Sequence, residues 1–521
     1  MTGENVVVCF KGYTHAVFNL LQSSSVAASV GRYVRENLVE KEYIPEHMER
    51  GKNGGWYKVY GHWQQKYMYA RYDMKAQKLF VPIAFCDEIC EVIRDWGARV
   101  EIKKINDYTF GKIKVKMKPE FHDQEHQIKL IAKCSDPIPG MKGLAMQTGK
   151  GKTYSAIKSW VNLGYRGLVI VNGLADQWIK SILEFTDVDR DKVYKLQEFQ
   201  SLALLAQNPE YRPDIFVASL RTLQLFCEGD KDYDLLPWNY TEFLRFYGIG
   251  VKIVDECHQS FHATTLMDLK SNVPYNMYCS ATFMQTSKQA RKIFDRIYPH
   301  SIQFGIDAYD KYVQVHWYNF YGTVDEKKCV KSRGYNHNKY EKELMVSENK
   351  FNNHLNEMIL PMINQYFVNR YKKGYRALVF CSGLDFVDCL TNKLKKLYPQ
   401  FKIVSYVGGN ELSDLDEADI VVSTIGKSST GLDLKGLILA INTVSIQTPL
   451  LTSQMFGRLR KRDDIELIYV DRCDMNVQAH IRHAEERKAL LKRMCSKFFE
   501  YDGVQDLSVQ TGEVRGPFAT I

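Results

Sequence analysis

Short apolar runs alternate with stretches of helical periodicity along most of the chain. The runs are RGLVIVNG (166–173), DIFVASL (214–220), GVKIVDE (250–256), YRALVFCSG (375–383), FKIVSYVGG (401–409), ADIVVST (418–424), LILAINTVS (437–445) and ELIYVDR (466–472). They are rich in β-branched residues and bounded by Gly, Asp, Asn or Ser, so they read as strands. Near-continuous apolar strands separated by helices imply parallel sheets covered on both faces. The runs fall into two groups, at about 140–305 and about 375–475. A polar stretch, VDEKKCVKSRGYNHNKYEKEL, lies between them and is followed by the helical pattern NHLNEMILPMINQYFVNRYKK. The pattern predicts two α/β domains joined by a connector.

The first 118 residues read differently. GGWYKVYGHWQQKYMYARYD (54–73) is dense in aromatic residues behind a Gly-Gly turn; KLFVPIAF reads as a strand, and CDEICEVIRDWGARVEI as a helix followed by a strand. This predicts a small, separate α+β domain. The aromatics suit either the packed core of that domain or a surface on which bases stack, with Lys58, Lys66 and Arg71 on phosphate; core packing is the commoner use of such residues. In KIKVKMK the residues Lys112, Lys114, Lys116 and Lys118 share one face of an extended segment, either as a protected edge or as a face that tracks phosphates.

Bulk composition narrows the class. At 521 residues the chain has room for about three domains. Hydrophobic residues make up 45% and charged residues 25%, ordinary values for a globular protein. The net charge of +9 is compatible with a polyanionic partner without identifying one. Twelve cysteines are scattered, with Cys86 and Cys90 the closest pair. No CxxC pair and no Cys/His spacing of the zinc type occurs, which fits a reducing cytoplasm. MTGENVVVCFKGYTH lacks the basic and apolar regions of a signal peptide, and no apolar run is long enough to span a membrane.

The chemistry starts at MQTGKGKT (146–153), which follows an apolar run and precedes the helical pattern YSAIKSWVNLG. Thr148, Gly149, Lys150, Gly151, Lys152 and Thr153 form a phosphate-binding loop: glycines let backbone N–H groups turn towards phosphate oxygens at a helix N-terminus. Lys152 is expected at the β- and γ-phosphates of ATP and Thr153 at Mg2+. The fuller pattern has a glycine where Met146 stands. In VKIVDECH (251–258) a strand ends in two acids, placing carboxylates at the edge where the loop lies. Asp255 is expected to coordinate Mg2+, and Glu256 to orient and deprotonate the attacking water.

In this order GKT, DECH and Ser280-Ala281-Thr282 resemble motifs I, II and III of superfamily 2 helicases and translocases. Further segments are similar. Gln127 stands where that superfamily places an adenine-reading glutamine, with Gln124 as the alternative. GLVIVNGLADQW resembles motif Ia, with Asn172-Gly173 in place of Pro-Thr. VASLRTLQ resembles motif Ib, with Ser219 and Arg221 on nucleic acid. LVFCSG resembles motif IV, and VVSTIGKSSTGLDL motif V, with Thr424 towards nucleic acid and Gly431 and Asp433 towards nucleotide. QMFGRLRKR resembles motif VI: Gln454, Gly457 and Arg458 match, but Lys461 takes the place of the last arginine. Lysine offers a point charge where a planar fork is wanted, so Arg458 with Arg460 is the expected finger, with Lys461 and Arg462 as alternatives. The resemblance implies that His258, Ser280 and Thr282 couple nucleotide state to domain closure.

The N-terminal segment, with its aromatic Gly-containing region ahead of the glutamine motif, resembles the accessory domain of UvsW-type DNA helicases of tailed phages. The resemblance implies an α/β chain of two RecA-like parallel-sheet domains in tandem behind a small α+β domain. The expected boundaries are 1–118 (accessory), 119–310 (first RecA-like), 311–350 (connector) and 351–521 (second RecA-like, with a C-terminal basic helix). It further implies an ATP- and Mg2+-dependent enzyme that unwinds or branch-migrates branched or single-stranded DNA or an RNA–DNA hybrid in recombination and repair, in the cytoplasm of a host. The motifs alone leave open an RNA helicase or transcript-releasing ATPase. A nucleotide-gated binding module with little unwinding is the reading from another class. Oligomeric state is not legible.

Overall fold

Apolar runs bounded by polar turns become the inner strands of two parallel sheets, and the earlier aromatic segment becomes an antiparallel one. The computed structural model describes residues 6–503 apart from 21–23, 45, 51–55, 106–108, 147–149, 174, 231, 282, 286, 306–310, 332–333, 409–414, 416 and 429–433. The chain divides into two units, Met1–Ala308 and Tyr309–Ile521.

The first unit opens with β1 (Val6–Lys11), β2 (His15–Asn19), β3 (Val39–Ile44), β4 (His47–Arg50), β5 (Trp56–Val59), β6 (His62–Met68), β7 (Arg71–Asp73), β8 (Lys78–Pro82) and β9 (Arg99–Lys104). Five of these form a sheet in the order β7-β8-β2-β1-β9, while β3/β6 and β4/β5 are two-stranded antiparallel ribbons. Helices Ser24–Asn37 and Cys86–Asp95 pack together through residues spaced four apart: Val26, Val30 and Val34 on one, Ile89 and Ile93 on the other. The core-packing expectation for the aromatics fails on β6. Trp63 is 65% exposed and Tyr60, just before the strand, 72%, because β6 pairs only with β3; Tyr69, beyond the strand, is buried.

The first parallel sheet comprises β10 (Gly140–Ala145), β11 (Gly167–Val171), β12 (Val193–Leu196), β13 (Ile215–Ser219), β14 (Val251–Val254), β15 (Tyr275–Ser280) and β16 (Gln303–Phe304), in the order β12-β13-β11-β14-β15-β10-β16. KIKVKMK lies outside it as an extended strap, joined by isolated bridges at Lys112 and Met117 and by the Lys116 N–H donating to Asp187 Oδ1 at 2.7 Å. Ile113, Val115 and Met117 pack inward there, and Lys112, Lys114 and Lys116 face solvent.

The accessory segment does not have a core of its own. Val7, Phe18, Val81 and Ile93 belong to the same buried cluster as Leu168, Phe216, Phe261 and Tyr298. Polar contacts reinforce the join. Thr14 Oγ1 donates to the carbonyls of Asp268 (2.9 Å) and Ser271 (2.7 Å), and His262 Nε2 lies 3.0 Å from the carbonyl oxygen of Met68. Helix Phe261–Asp268, just past the DECH segment, is therefore the dock. A buried ion pair pins this helix to the sheet: Lys252 of β14, fully buried, meets Asp268, whose Oδ2 also accepts from Tyr278 Oη at 2.6 Å.

The second unit contains β17 (Val313–Phe320), the two-residue pair β18 (Val330–Lys331) and β19 (Gly334–Tyr335), then β20 (Arg376–Cys381), β21 (Ile403–Tyr406), β22 (Ile420–Thr424), β23 (Leu437–Asn442), β24 (Leu467–Asp474) and β25 (Lys497–Asp502). Its parallel sheet runs β21-β22-β20-β23-β24-β17-β25. Ranked by position in the sequence, the strands of both parallel sheets read 3-4-2-5-6-1-7, so the two units repeat one topology. This is a tandem of RecA-like parallel-sheet domains behind a small sheet segment.

Two strands depart from the sequence reading. The stretch expected as a connector, 311–350, supplies β17, an inner strand between β24 and β25. Polar residues interrupt its apolar run, but the fold satisfies them: Asn319 Nδ2 donates to Glu500 and Asp502, and His316 Nδ1 lies 3.1 Å from Tyr501 Oη. The C-terminal basic helix, Gln478–Met494, is followed by β25. This helix is anchored by the fully buried Arg487–Asp471 pair. At the end of β24, Asp474 accepts from the backbone N–H of Gly322 (2.9 Å) and Asn476 (3.0 Å) and from Tyr340 Oη (2.8 Å).

Removing one member of a buried pair strands the other charge. Asp268→Ala is expected to cost about 3–5 kcal/mol in denaturant unfolding, and the apolar double replacement Lys252→Met/Asp268→Leu to recover much of it. Equal losses in the single and double variants contradict the pairing.

Candidate active site

In a parallel sheet the carboxyl ends of all strands meet at one edge, so residues distant in sequence converge there. β10 and β14 flank β15, and each delivers chemistry to that edge. After β10 the chain reaches Gly151 at φ +83°, in the left-handed region, and begins helix Lys152–Leu163. A Cβ at Gly151 would lie 2.2 Å from Gln127 Nε2, so glycine is required both by conformation and by space. Lys152 is the first helical residue and Thr153 the second.

Lys152 Nζ is 3.3 Å from Asp255 Oδ1 and also hydrogen-bonds Glu256 Oε1. Burial opposes the lysine's charge, but the two carboxylates outweigh it and hold its pKa above the ordinary value. Asp255 is fixed from two further sides: Oδ2 accepts from Trp178 Nε1 at 2.8 Å and Oδ1 from the Glu256 N–H at 3.0 Å. Glu256 sits at φ +47°, a strained conformation for a residue with a side chain. The strain turns the chain sharply after β14.

Behind the acids, His258 Nδ1 lies 2.7 Å from Ser280 Oγ and 3.4 Å from Glu256 Oε2. Burial lowers the His258 pKa to about 4, although Glu256 works in the opposite direction, so the ring is neutral at pH 7. Two expected coupling residues thus meet, with one of the acids beside them.

Gln127, the expected adenine reader, also reaches the loop. Its Nε2 donates to the Lys150 carbonyl (3.0 Å) and its Oε1 accepts from the Gln124 N–H (2.9 Å), so both ends of the amide bond the backbone. Gln124 is the N-cap of helix Glu125–Cys134. Ser219 ends β13 at the same sheet edge and caps helix Leu220–Glu228, on which Arg221 is exposed.

In the second unit Thr424 ends β22, and Gln454 lies half-buried on helix Pro449–Phe456. Arg458 and Arg460 follow that helix, both half-buried. Arg462 is committed elsewhere: its Nε and Nη2 bond Asp464 at 2.8 Å each, and its guanidinium stacks 5.1 Å over the ring of Tyr375. The expected residues Thr148, Gly149, Thr282, Gly431 and Asp433 lie outside the described residues.

The described residues suit a magnesium nucleotide. A helix N-terminus behind a left-handed glycine offers N–H groups to an anion. Lys152 offers a cation, and Asp255 a hard oxygen donor of the kind Mg2+ takes. Trp178 lies 77 residues from Asp255 in the chain, so only the fold brings its indole N–H to the acid.

A RecA-like sheet with a cation–carboxylate cluster at its carboxyl edge defines the class of site. No family model matches the sequence, and no curated protein matches it. Among solved structures, the chain is similar to S. cerevisiae Dbp5 bound to RNA and ADP BeF3, at 12% identity and a TM-score of 0.48 over 74% of this chain and 91% of that one. It is similar to the type ISP restriction-modification enzyme LlaBIII bound to DNA, at 11% identity and a TM-score of 0.47 over 73% of this chain and 32% of that one. An HsdR fragment of a type I restriction enzyme from Vibrio vulnificus YJ016 aligns at 15% identity and a TM-score of 0.48, covering 74% and 71%.

His258 gives the site a pH signature. Its folded pKa of about 4 lies below the ordinary 6.5, so the unfolded chain binds the extra proton first. The stabilisation is complete above pH 6.5 and is lost as pH falls towards 4, by on the order of 3 kcal/mol. Unfolding curves across that range are expected to show a smaller loss in His258→Asn than in the parent chain.

Proposed function

We propose that the chain is a nucleic-acid-dependent ATPase that works as a superfamily 2 DNA helicase or translocase on branched DNA. The observation that carries this reading is the convergence of Lys152, Asp255 and Glu256 at the carboxyl edge of the first RecA-like sheet. In this reading Lys152 meets the terminal phosphates and Thr153 and Asp255 hold Mg2+, which supplies charge neutralisation at the phosphoryl oxygens. Glu256 orients and deprotonates the attacking water. The close Lys152–Glu256 contact is then the resting arrangement, and nucleotide competes for the lysine.

In the same reading Gln454 and Arg458 with Arg460 are the motif VI residues, and a planar guanidinium suits charge spread over several oxygens. His258 and Ser280 carry the nucleotide state into the fold through their shared hydrogen bond. Gly431 and Asp433 join the nucleotide side, and Ser219, Arg221 and Thr424 the nucleic-acid side. A domain limit near residue 310 is part of the same reading.

Action on forks and junctions is supported by the exposed aromatic ribbon. Tyr43 and Trp63, both exposed, meet edge-to-face at 5.5 Å. Such faces suit bases freed at a branch, at roughly 1–3 kcal/mol each. Lys58 and Lys66 pair with Glu46 (2.7 Å) and Glu40 (3.8 Å), so the ribbon's attraction is more apolar than ionic.

Lys152→Ala and Glu256→Gln are expected to reduce DNA-stimulated ATP turnover by about 100-fold or more while salt-sensitive DNA binding persists. Near-normal turnover in Glu256→Gln refutes its role as the base. Arg458→Ala is expected to lose turnover with nucleotide binding kept. An unwinding panel of forks, Holliday junctions, displacement loops, RNA–DNA hybrids and RNA duplexes tests the substrate. The expected preference is for branched DNA, weakened in Trp63→Ala; a preference for RNA duplexes overturns it.

A further inference from the structure

Three cysteines that play no part in the nucleotide site meet in the core of the accessory segment. Cys86 and Cys90 lie one turn apart on helix Cys86–Asp95, so both project from one face of it. Cys9, on β1, comes up against that face from 77 residues away, with its Sγ 3.7 Å from Cys86 Sγ. All three residues are fully buried. Their sulfur atoms lie within 4.8 Å of one another, and no other described cluster of three Cys, His, Asp or Glu residues is so arranged.

The Cys9–Cys86 separation of 3.7 Å is that of two ligands on a shared ion, and Cys90 lies within 4.8 Å of both. Thiolates on one tetrahedral zinc, with bonds of about 2.3 Å, stand about 3.8 Å apart. A disulfide could join only two of the three sulfurs, whereas convergence of all three serves a single central atom. The ligand set is wholly sulfur, which selects a soft ion over Mg2+ or Ca2+. Lys11, two residues along β1 from Cys9, bonds Asp87 at 3.3 Å beside Cys86, so a fixed cation stands near a site that becomes anionic when loaded.

We propose that Cys9, Cys86 and Cys90 form a three-thiolate site for a soft divalent cation of the zinc–cadmium type, clamping helix Cys86–Asp95 to β1. Loading exchanges three S–H bonds for three sulfur–metal bonds. Three protons pass to solvent, no electrons move, and the loaded site carries one net negative charge. Because loading releases protons, it strengthens as pH rises.

The test uses the reduced full-length protein titrated with Cd2+. The expected result is a thiolate-to-metal charge-transfer absorption that saturates at one ion per chain, with proton release and a raised thermal midpoint. Cys9→Ala and Cys90→Ala are expected to abolish the saturable band, and Cys389→Ser to leave it. Absence of a one-ion band in the parent chain overturns the proposal, as does a band that persists in folded Cys9→Ala and Cys90→Ala. Should those variants fail to fold, the titration of the parent chain decides alone.

Discussion

Two carboxylates on successive residues at the end of a buried strand repel each other, and the cation of Lys152 is what allows Asp255 and Glu256 to share that edge. Much of the first unit can be understood as delivery of these three groups. The cation comes from the loop after β10, which must turn through a left-handed glycine to start its helix where the lysine can reach. The acids come from β14, on the far side of β15, and the second acid is presented only because Glu256 accepts a strained backbone. Trp178 and the Glu256 N–H then hold Asp255 from the sides that Lys152 does not occupy.

The same strand ties the site to the accessory segment. Lys252 lies three residues before Asp255, and its buried partner Asp268 closes the helix on which the N-terminal sheet rests. Tyr69 packs on Phe261 at 4.8 Å between ring centres, and Thr14 bonds the far end of that helix. Because one apolar core runs through both, a shift of this helix displaces groups on either side of it. The helix begins three residues after His258, so the element reached first from the acidic pair is also the element that carries the exposed ribbon.

What the sequence revealed and what it hid follow from distance along the chain. The TGKGKT and DECH segments are each contiguous in sequence, and the meeting of Lys152 with Asp255 and Glu256 at one edge follows from any parallel sheet that holds both. The inner apolar strands were legible for the same reason. β17 was not, because His316 and Asn319 break its apolar run and find their partners on β25, some 180 residues away. The cysteine triad was hidden because Cys9 and Cys86 are far apart in sequence. The exposure of Trp63 was misread because composition cannot tell a covered sheet from a two-stranded ribbon. The repeated topology left no trace as a repeated sequence, since the same strand order can be built from many apolar runs.

That repetition gives Asp474 a meaning beyond local stability. By strand rank β17 corresponds to β10 and β24 to β15, so Gly322 stands just past the strand whose counterpart leads into the phosphate loop. Its N–H already has an anion, bonding Asp474 Oδ1 at 2.9 Å, and a Cβ on Gly322 would come within 2.1 Å of Oδ2 of the same carboxylate. Tyr340 and Asn476 complete the carboxylate's bonds. The second copy thus carries its own tenant on a covalent tether, at an effective concentration that a diffusing phosphate must overcome. The place past β17 is thus filled by the chain's own carboxylate.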